Sequence, residues 1–131
     1  MIKKKLIFAS VVTLGWLLLI YTESSQPPPK IFGEIPGLDK VAHFVAYGIL
    51  GAMFFAMLAH INGFKKISSL SLAVFLVVLA GLSDEIHQAF VPERNADAWD
   101  LFADFCGGLF SILFIQCFLN KKAKEISHAQ T

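Results

Sequence analysis

VAHFVAYGILGAMFFAMLA, residues 41–59, contains no Asp, Glu, Lys or Arg. As a helix it would span roughly 28 Å at 1.5 Å per residue, close to the ~30 Å hydrocarbon core of a bilayer. Three further runs of this kind surround it, at residues 6–22 (LIFASVVTLGWLLLIYT), 67–83 and 99–120. Hydrophobic residues make up 56% of the 131-residue chain and charged residues 16%, a balance that a soluble domain of this size cannot dress with polar surface. The expected fold is therefore all-α: a polytopic membrane protein, a four-transmembrane-helix bundle forming one domain over residues 1–131. The first and third runs are slightly short and need snorkelling lysines or local thinning.

The first run follows Lys3, Lys4 and Lys5, as a signal peptide would. It is longer than a usual signal-peptide apolar region, and TESSQPPP has no A-x-A-like cleavage site, so an uncleaved helix is expected. Pro27, Pro28 and Pro29 favour extended polyproline geometry in the link at 22–40. HINGFKK, residues 60–66, reads as a tight turn about Asn62-Gly63, and residues 84–98 as a third link. Cys106 and Cys117 share the last run, about 16 Å apart along a helix, too far for a disulfide. They read as small hydrophobic side chains.

Charge sets the orientation. Lys3, Lys4, Lys5, Lys65, Lys66, Lys121, Lys122 and Lys124 fall on one side of the alternating topology, and only Lys30, Lys40 and Arg94 on the other. The positive-inside rule then places both termini and the 60–66 turn in the cytoplasm. Of the acids, only Glu125 joins that side; Glu23, Glu34, Asp39, Asp84, Glu85, Glu93, Asp97, Asp100 and Asp104 lie at or near the other. Acids do not set topology, so their gathering needs another cause.

Three clusters hold most of them. Asp39, Lys40, His43 and Tyr47 share an arc of about 100° on a helical wheel. Interfacial snorkelling accounts for Lys40 and Tyr47 but poorly for His43 between them. Asp84-Glu85-Ile86-His87-Gln88 ends the third helix, where its acids oppose the helix dipole. Asp97, Asp100 and Asp104 lead into the fourth helix and share an arc with Gly107, Gly108 and Ser111, while Trp99 points away as an interfacial anchor. Small residues permit close helix packing in lipid, so this face is expected to turn inward. A carboxylate as deep as Asp104 is expected to be buried or functional.

Arg94 and Lys40 suit phosphate, and His43 or His87 suits acid–base work near neutral pH. Glu85, Asp97, Asp100 and Asp104 suit a hard cation such as Mg²⁺ or Ca²⁺. Zinc has little support, because no H-E-x-x-H motif and no Cys/His pairing is present, and there is no Gly-rich phosphate loop or G-x-S-x-G elbow. Across the clusters, Asp39, Asp84, Glu85, Glu93, Asp97, Asp100 and Asp104 face only Lys40 and Arg94, seven against two, or −5. An anionic ligand there needs bridging cations, raised carboxyl pKa values or acids paired away from it. Arg94, the only fixed cation in the third link, is expected to fork onto Glu85, Asp97 or Asp100.

DKVAHFVAYGILG followed by LSDEIHQAFVPERNADAWDLFADFCGG resembles the VanZ-like family of small bacterial membrane proteins, over roughly residues 38–112. Asp39, Lys40, His43, Tyr47, Glu85, Gln88, Arg94, Asp97, Asp100, Gly107 and Gly108 match its pattern. Asp104 stands where Asn is expected and Glu93 where Gly is common. The resemblance implies a link to glycopeptide resistance, specifically to teicoplanin in the family's namesake. Together with the outward cluster it suggests a protein of the bacterial cytoplasmic membrane that acts on or binds a membrane lipid or lipid-linked envelope intermediate, not nucleic acid. His43, Glu85 and Asp100 are the candidate catalytic groups. Asp39, Lys40, Tyr47, Gln88, Arg94, Asp97 and Asp104 are the candidate ligand-binding groups. The alternatives are a non-enzymatic binding or scaffold protein and a small ion- or proton-coupled transporter.

Overall fold

Backbone amides and carbonyls near a bilayer lose water as a partner, so a helix tends to continue from its apolar run into its polar flanks. The helices accordingly exceed the apolar runs. The computed structural model describes residues 2–62 and 67–129 and contains α1 (Ile2–Ser24), α2 (Lys30–Glu34), α3 (Leu38–Asn62), α4 (Ile67–Gln88) and α5 (Ala98–Ala129). The fold is all-α, and α1, α3, α4 and α5 are long and apolar enough to cross a membrane. Of the expected turn at Asn62-Gly63, Asn62 is the last residue of α3 and residues 63–66 lie outside the described residues.

Two differences from the sequence reading matter. First, α4 runs to Gln88 rather than ending at Ser83. Asp84, Glu85 and Gln88, expected at the end of the third helix beyond its apolar run, are thus helical side chains with fixed directions. Second, the link at 22–40 is not extended throughout. Pro29 has φ −54° and ψ 137°, near polyproline values, but it introduces the single helical turn α2. Gly37, at φ +79°, then reverses the chain into α3, a left-handed position that suits glycine.

Contacts fix the topology. Arg94, just before α5, reaches carbonyls at the C-terminal end of α1, and Lys40 at the start of α3 reaches the start of α5. Glu85, near the end of α4, accepts from the backbone immediately before α5. The C-termini of α1 and α4 and the N-termini of α3 and α5 therefore share one end, as alternating spans require. The core is Tyr47, Leu50, Phe54, Phe55, Leu58, Ala73, Val77 and Ile112, whereas Phe8, Leu14, Phe75, Phe110, Phe114 and Phe118 are exposed on the outside. In a bilayer that outside is lipid-facing, so the exposure carries no penalty.

Glycine sets the spacing of α3 and α5. A Cβ on Gly51 would lie 2.7 Å from the Gly108 Cα, and one on Gly107 would collide with the Phe44 carbonyl. Gly108 also faces Val77 of α4, whose Cγ1 would lie 2.6 Å from an added Cβ. The backbones touch here, the close approach that small residues permit in lipid. Gly107→Ala should destabilise the protein by about 1–3 kcal/mol, because the obstruction is backbone that cannot move aside. Gly15→Ala, with open space around it, should change stability by less than about 1 kcal/mol. Thermal unfolding in detergent, compared for the two variants, measures the difference; equal melting temperatures would contradict the packing described.

Candidate functional site

At the shared end, one ammonium gathers three carboxylates. Lys40 Nζ donates to Asp39 Oδ2 at 2.9 Å, Asp97 Oδ2 at 2.7 Å and Asp100 Oδ1 at 2.9 Å. An ammonium has three N–H groups, so its donors are all engaged. Asp100 is the most enclosed of the three, with its side chain 9% exposed.

Asp97 joins three helices. Its Oδ1 accepts the Trp99 N–H at 2.9 Å, the N-cap bond that begins α5. Its Oδ2 takes Lys40 of α3, and its own N–H donates to Glu85 Oε2 of α4 at 2.7 Å. The Lys40 ammonium, reinforced by the Trp99 N–H, holds the Asp97 carboxyl below the usual carboxylate range.

Below this layer lies a drier one. His43 Nδ1 and Asp104 Oδ1 are 2.9 Å apart, and Asp104 is fully buried. The His43 ring is parallel to that of Tyr47, whose buried hydroxyl makes a long 3.5 Å contact to the Ala80 carbonyl. Gly81 of α4 makes room for Asp104: a Cβ there would lie 2.7 Å from Asp104 Oδ2. Two buried oxygens, Glu85 Oε1 and Asp104 Oδ2, have no hydrogen-bond partner. Gln88 Nε2 donates to Asp84 Oδ2 at 3.0 Å, a buried pair within one turn of α4.

The expectation for Arg94 is overturned. Its guanidinium does not reach Glu85, Asp97 or Asp100; Nε donates to the Gln26 carbonyl at 2.9 Å and an Nη to the Glu23 carbonyl at 3.0 Å. Lys40 already occupies Asp97 and Asp100, and the C-terminal carbonyls of α1 attract a cation. His87, the other acid–base candidate, turns to α1 instead of the cluster, with Nε2 at 2.9 Å from Ser25 Oγ and its ring 4.6 Å from that of Tyr21. The remaining site residues anticipated from sequence all gather at this end.

Two cavities meet at the cluster. One, of about 260 Å³, has Trp16, Leu19 and Ile20 of α1 on its apolar side and His43, Gln88 and Arg94 on its polar side. The other, of about 420 Å³, opens above it beneath α2 and is lined by Asp39, Asp97, Asp100 and again His43, Gln88 and Arg94. The wall from α1 and α2, including Phe32, had no motif to mark it. Gly81 was recognisable only as the small residue one turn before Glu85.

The VanZ/LLP1 family model matches residues 3–119, nearly the whole chain and including α1. The chain belongs to the VanZ/LLP1 family. No curated protein and no solved structure matches it. Family membership and the four spans together make this a multi-pass membrane protein. The family match thus extends beyond the motif-bearing residues 38–112 to the helix that walls the smaller cavity.

Removing the Lys40 ammonium should be costly. Lys40→Met leaves Asp97 and Asp100 of this VanZ/LLP1 protein without their cation. The loss should fall between the ~1 kcal/mol of an exposed pair and the ~3–5 kcal/mol of a buried one. It should exceed that of Lys30→Met, as measured by unfolding in detergent. Acid should act on the same joint. The carboxyl of Asp97 is depressed in the folded state, so its contribution is present above about pH 4 and fades as the pH falls through its lower folded value. Its neighbours there are Lys40, Asp39, Asp100 and Glu85. Melting temperatures measured from about pH 5 down to about pH 3 should fall more steeply for the wild type than for Asp97→Asn. Parallel curves would remove Asp97 from this role.

Proposed function

We propose that this VanZ/LLP1 family protein binds a membrane-associated amphiphile, a membrane lipid or a lipid-linked intermediate of the cell envelope, in the cleft beneath α2. The carrying observation is that one cavity joins an apolar wall of Trp16, Leu19 and Ile20 to the polar groups His43, Gln88 and Arg94. A chain lying along α1 would leave its head group at the level of the polar layer. The pairings leave the net charge negative, so an anionic head group would be met by Arg94 together with a bridging cation or protonated carboxyls. Asp39, Asp97 and Asp100 share the Lys40 ammonium and Asp84 accepts from Gln88, so these four wall acids are already engaged although they line the cavities. Arg94 lines both cavities and supplies positive charge at their junction.

If the ligand is turned over, His43 is the acid–base group, since it lines both cavities and is backed by Asp104. Glu85, which lines neither cavity, then holds the frame through the Asp97 N–H, and Asp100 lines the larger cavity with its carboxylate engaged by Lys40. Binding without turnover is the second reading, favoured by the full engagement of Lys40 in pairs that join α3 to α5. We place the cleft on the non-cytoplasmic side of the bacterial cytoplasmic membrane, from the eight lysines expected on the opposite side. A contribution to teicoplanin resistance follows the family resemblance as a phenotype to measure in a deletion strain.

A photoactivatable polyprenyl-phosphate analogue, presented in nanodiscs, should label α1 and α3, and Ala46→Phe should block the apolar wall and abolish labelling. Unchanged labelling of that variant would overturn the proposal. With a phosphorylated polyprenyl carrier as substrate, equal behaviour of wild type and His43→Ala would leave only the binding reading. Orientation has its own test. In a background lacking Cys106 and Cys117, cysteines at Gln26 and Asn95 should react with a membrane-impermeant reagent in intact spheroplasts, and a cysteine at Lys122 should not. The reverse pattern would put the cleft in the cytoplasm.

A further inference from the structure

His43 of α3, Glu85 of α4 and Asp104 of α5 each offer one donor atom, and the three atoms lie within 4.8 Å of one another. Two of the residues carry a buried oxygen that nothing satisfies: Glu85 Oε1 and Asp104 Oδ2. Glu85 is 5% exposed and Asp104 is fully buried. Enclosed carboxylate oxygens without partners are costly, and they are rare in native proteins unless water, a proton or an ion meets them. Lys40 cannot serve, because its three donors are already placed on Asp39, Asp97 and Asp100.

We propose that His43, Glu85 and Asp104 form a binding site for a divalent transition-metal ion of the Zn²⁺ or Mn²⁺ class. The donor set decides the class. One imidazole nitrogen with two carboxylate oxygens suits a borderline ion better than Mg²⁺ or Ca²⁺, which favour all-oxygen shells. Three protein ligands are also the usual number at a zinc site that keeps a further position open. With metal–ligand bonds of ~2.1 Å the donor atoms of a tetrahedral shell lie roughly 3.4 Å apart, so the widest of the separations within 4.8 Å must shorten, while the 2.9 Å hydrogen bond between His43 and Asp104 gives way to the ion. The supporting bonds suit the role: Asp97 N–H fixes the other oxygen of Glu85 at 2.7 Å, as outer-shell donors orient metal ligands. The sequence expectation is Glu85, Asp97, Asp100 and Asp104 around Mg²⁺ or Ca²⁺, with little support for zinc; Asp97 and Asp100 are committed to Lys40, and His43 takes their place. The grouping of Glu85 and Asp104 with His43 was not legible in the sequence, because the three come one from each of three helices. The inference does not depend on the identity of the cleft ligand.

The purified full-length protein in detergent, stripped with a chelator and dialysed against Mn²⁺ or Zn²⁺, should retain about one ion per chain by elemental analysis. Pulsed electron paramagnetic resonance of the Mn²⁺ form should show nitrogen modulation from one imidazole, lost in His43→Gln. Glu85→Gln and Asp104→Asn should each weaken binding by more than about tenfold, the scale already seen for losing supporting bonds around a metal. Circular dichroism should show both variants still helical. Cys106→Ser, Cys117→Ser and His87→Ala should retain the ion, which excludes binding elsewhere. Wild type that retains no ion, or retention unchanged by all three ligand substitutions, would overturn the proposal. So would an infrared band from a protonated carboxyl in the metal-treated wild type that disappears in Glu85→Gln, since a proton would then satisfy the orphaned oxygens.

Discussion

The contact between the Lys40 ammonium and three carboxylates is the interaction on which this end of the bundle depends. Acids that stand within a turn or two of a helix end, near lipid, repel one another strongly unless a cation is set among them. Lys40 enters from α3 and binds acids at the start of α5, so the pairing also fixes how those two helices meet. Asp97 extends the same joint to α4 through its backbone N–H, and caps α5 with its side chain. The cation that neutralises the cluster therefore also aligns three helices. Half-exposure at its rim keeps the desolvation cost of the ions modest, while Asp100 at the inner side gains most from the pairing.

A second constraint acts deeper in the membrane. Where Gly48 and Gly51 meet Gly107 and Gly108, α3 and α5 approach backbone to backbone, with nothing compressible between them. His43 lies just above this crossing on α3, and Asp104 just above it on α5. Their 2.9 Å contact follows from the crossing as much as from attraction between them. Gly81 completes the arrangement by letting α4 close on Asp104. The layer that holds the orphaned carboxylate oxygens is thus braced above by charge and below by glycine.

The spans were legible because membrane insertion writes itself into sequence as uninterrupted apolar runs, as at residues 41–59. Their ends were less so, since Asp84 to Gln88 look like a loop by polarity but have no Pro or Gly to stop α4. The composition of the site was also legible: Asp39, Lys40, His43, Glu85, Asp97, Asp100 and Asp104 do assemble at one end. Their pairings were not. Arg94 is the fixed cation nearest in sequence to Asp97 and Asp100, whereas the cation that reaches them, Lys40, lies 57 and 60 residues away. Partner choice among long side chains depends on helix register and crossing, which a helical wheel of one helix does not contain. The apolar wall from Trp16, Leu19 and Ile20 was hidden for a different reason: in a lipid-soluble helix, a residue lining a cavity has the same chemistry as one facing lipid. Glu93 is a smaller case. The position where the family resemblance suggests Gly has φ +66°, so the expected glycine answers a backbone need that the glutamate here meets under strain.

Arg94 ties the loop before α5 to the last carbonyls of α1, and Trp16 Nε1 donates to the Ala46 carbonyl lower down at 3.0 Å. These bonds bear on biogenesis. Lys3–Lys5 and the apolar stretch after them resemble an export signal, but a peptidase cutting near residue 22 would take Trp16, Leu19 and Ile20 with it. The smaller cavity would then open sideways to the acyl chains, and His43 would sit at the edge of the bilayer interior with no wall in front of it. Retention of the first helix after insertion is therefore a condition for the smaller cavity to keep its apolar wall.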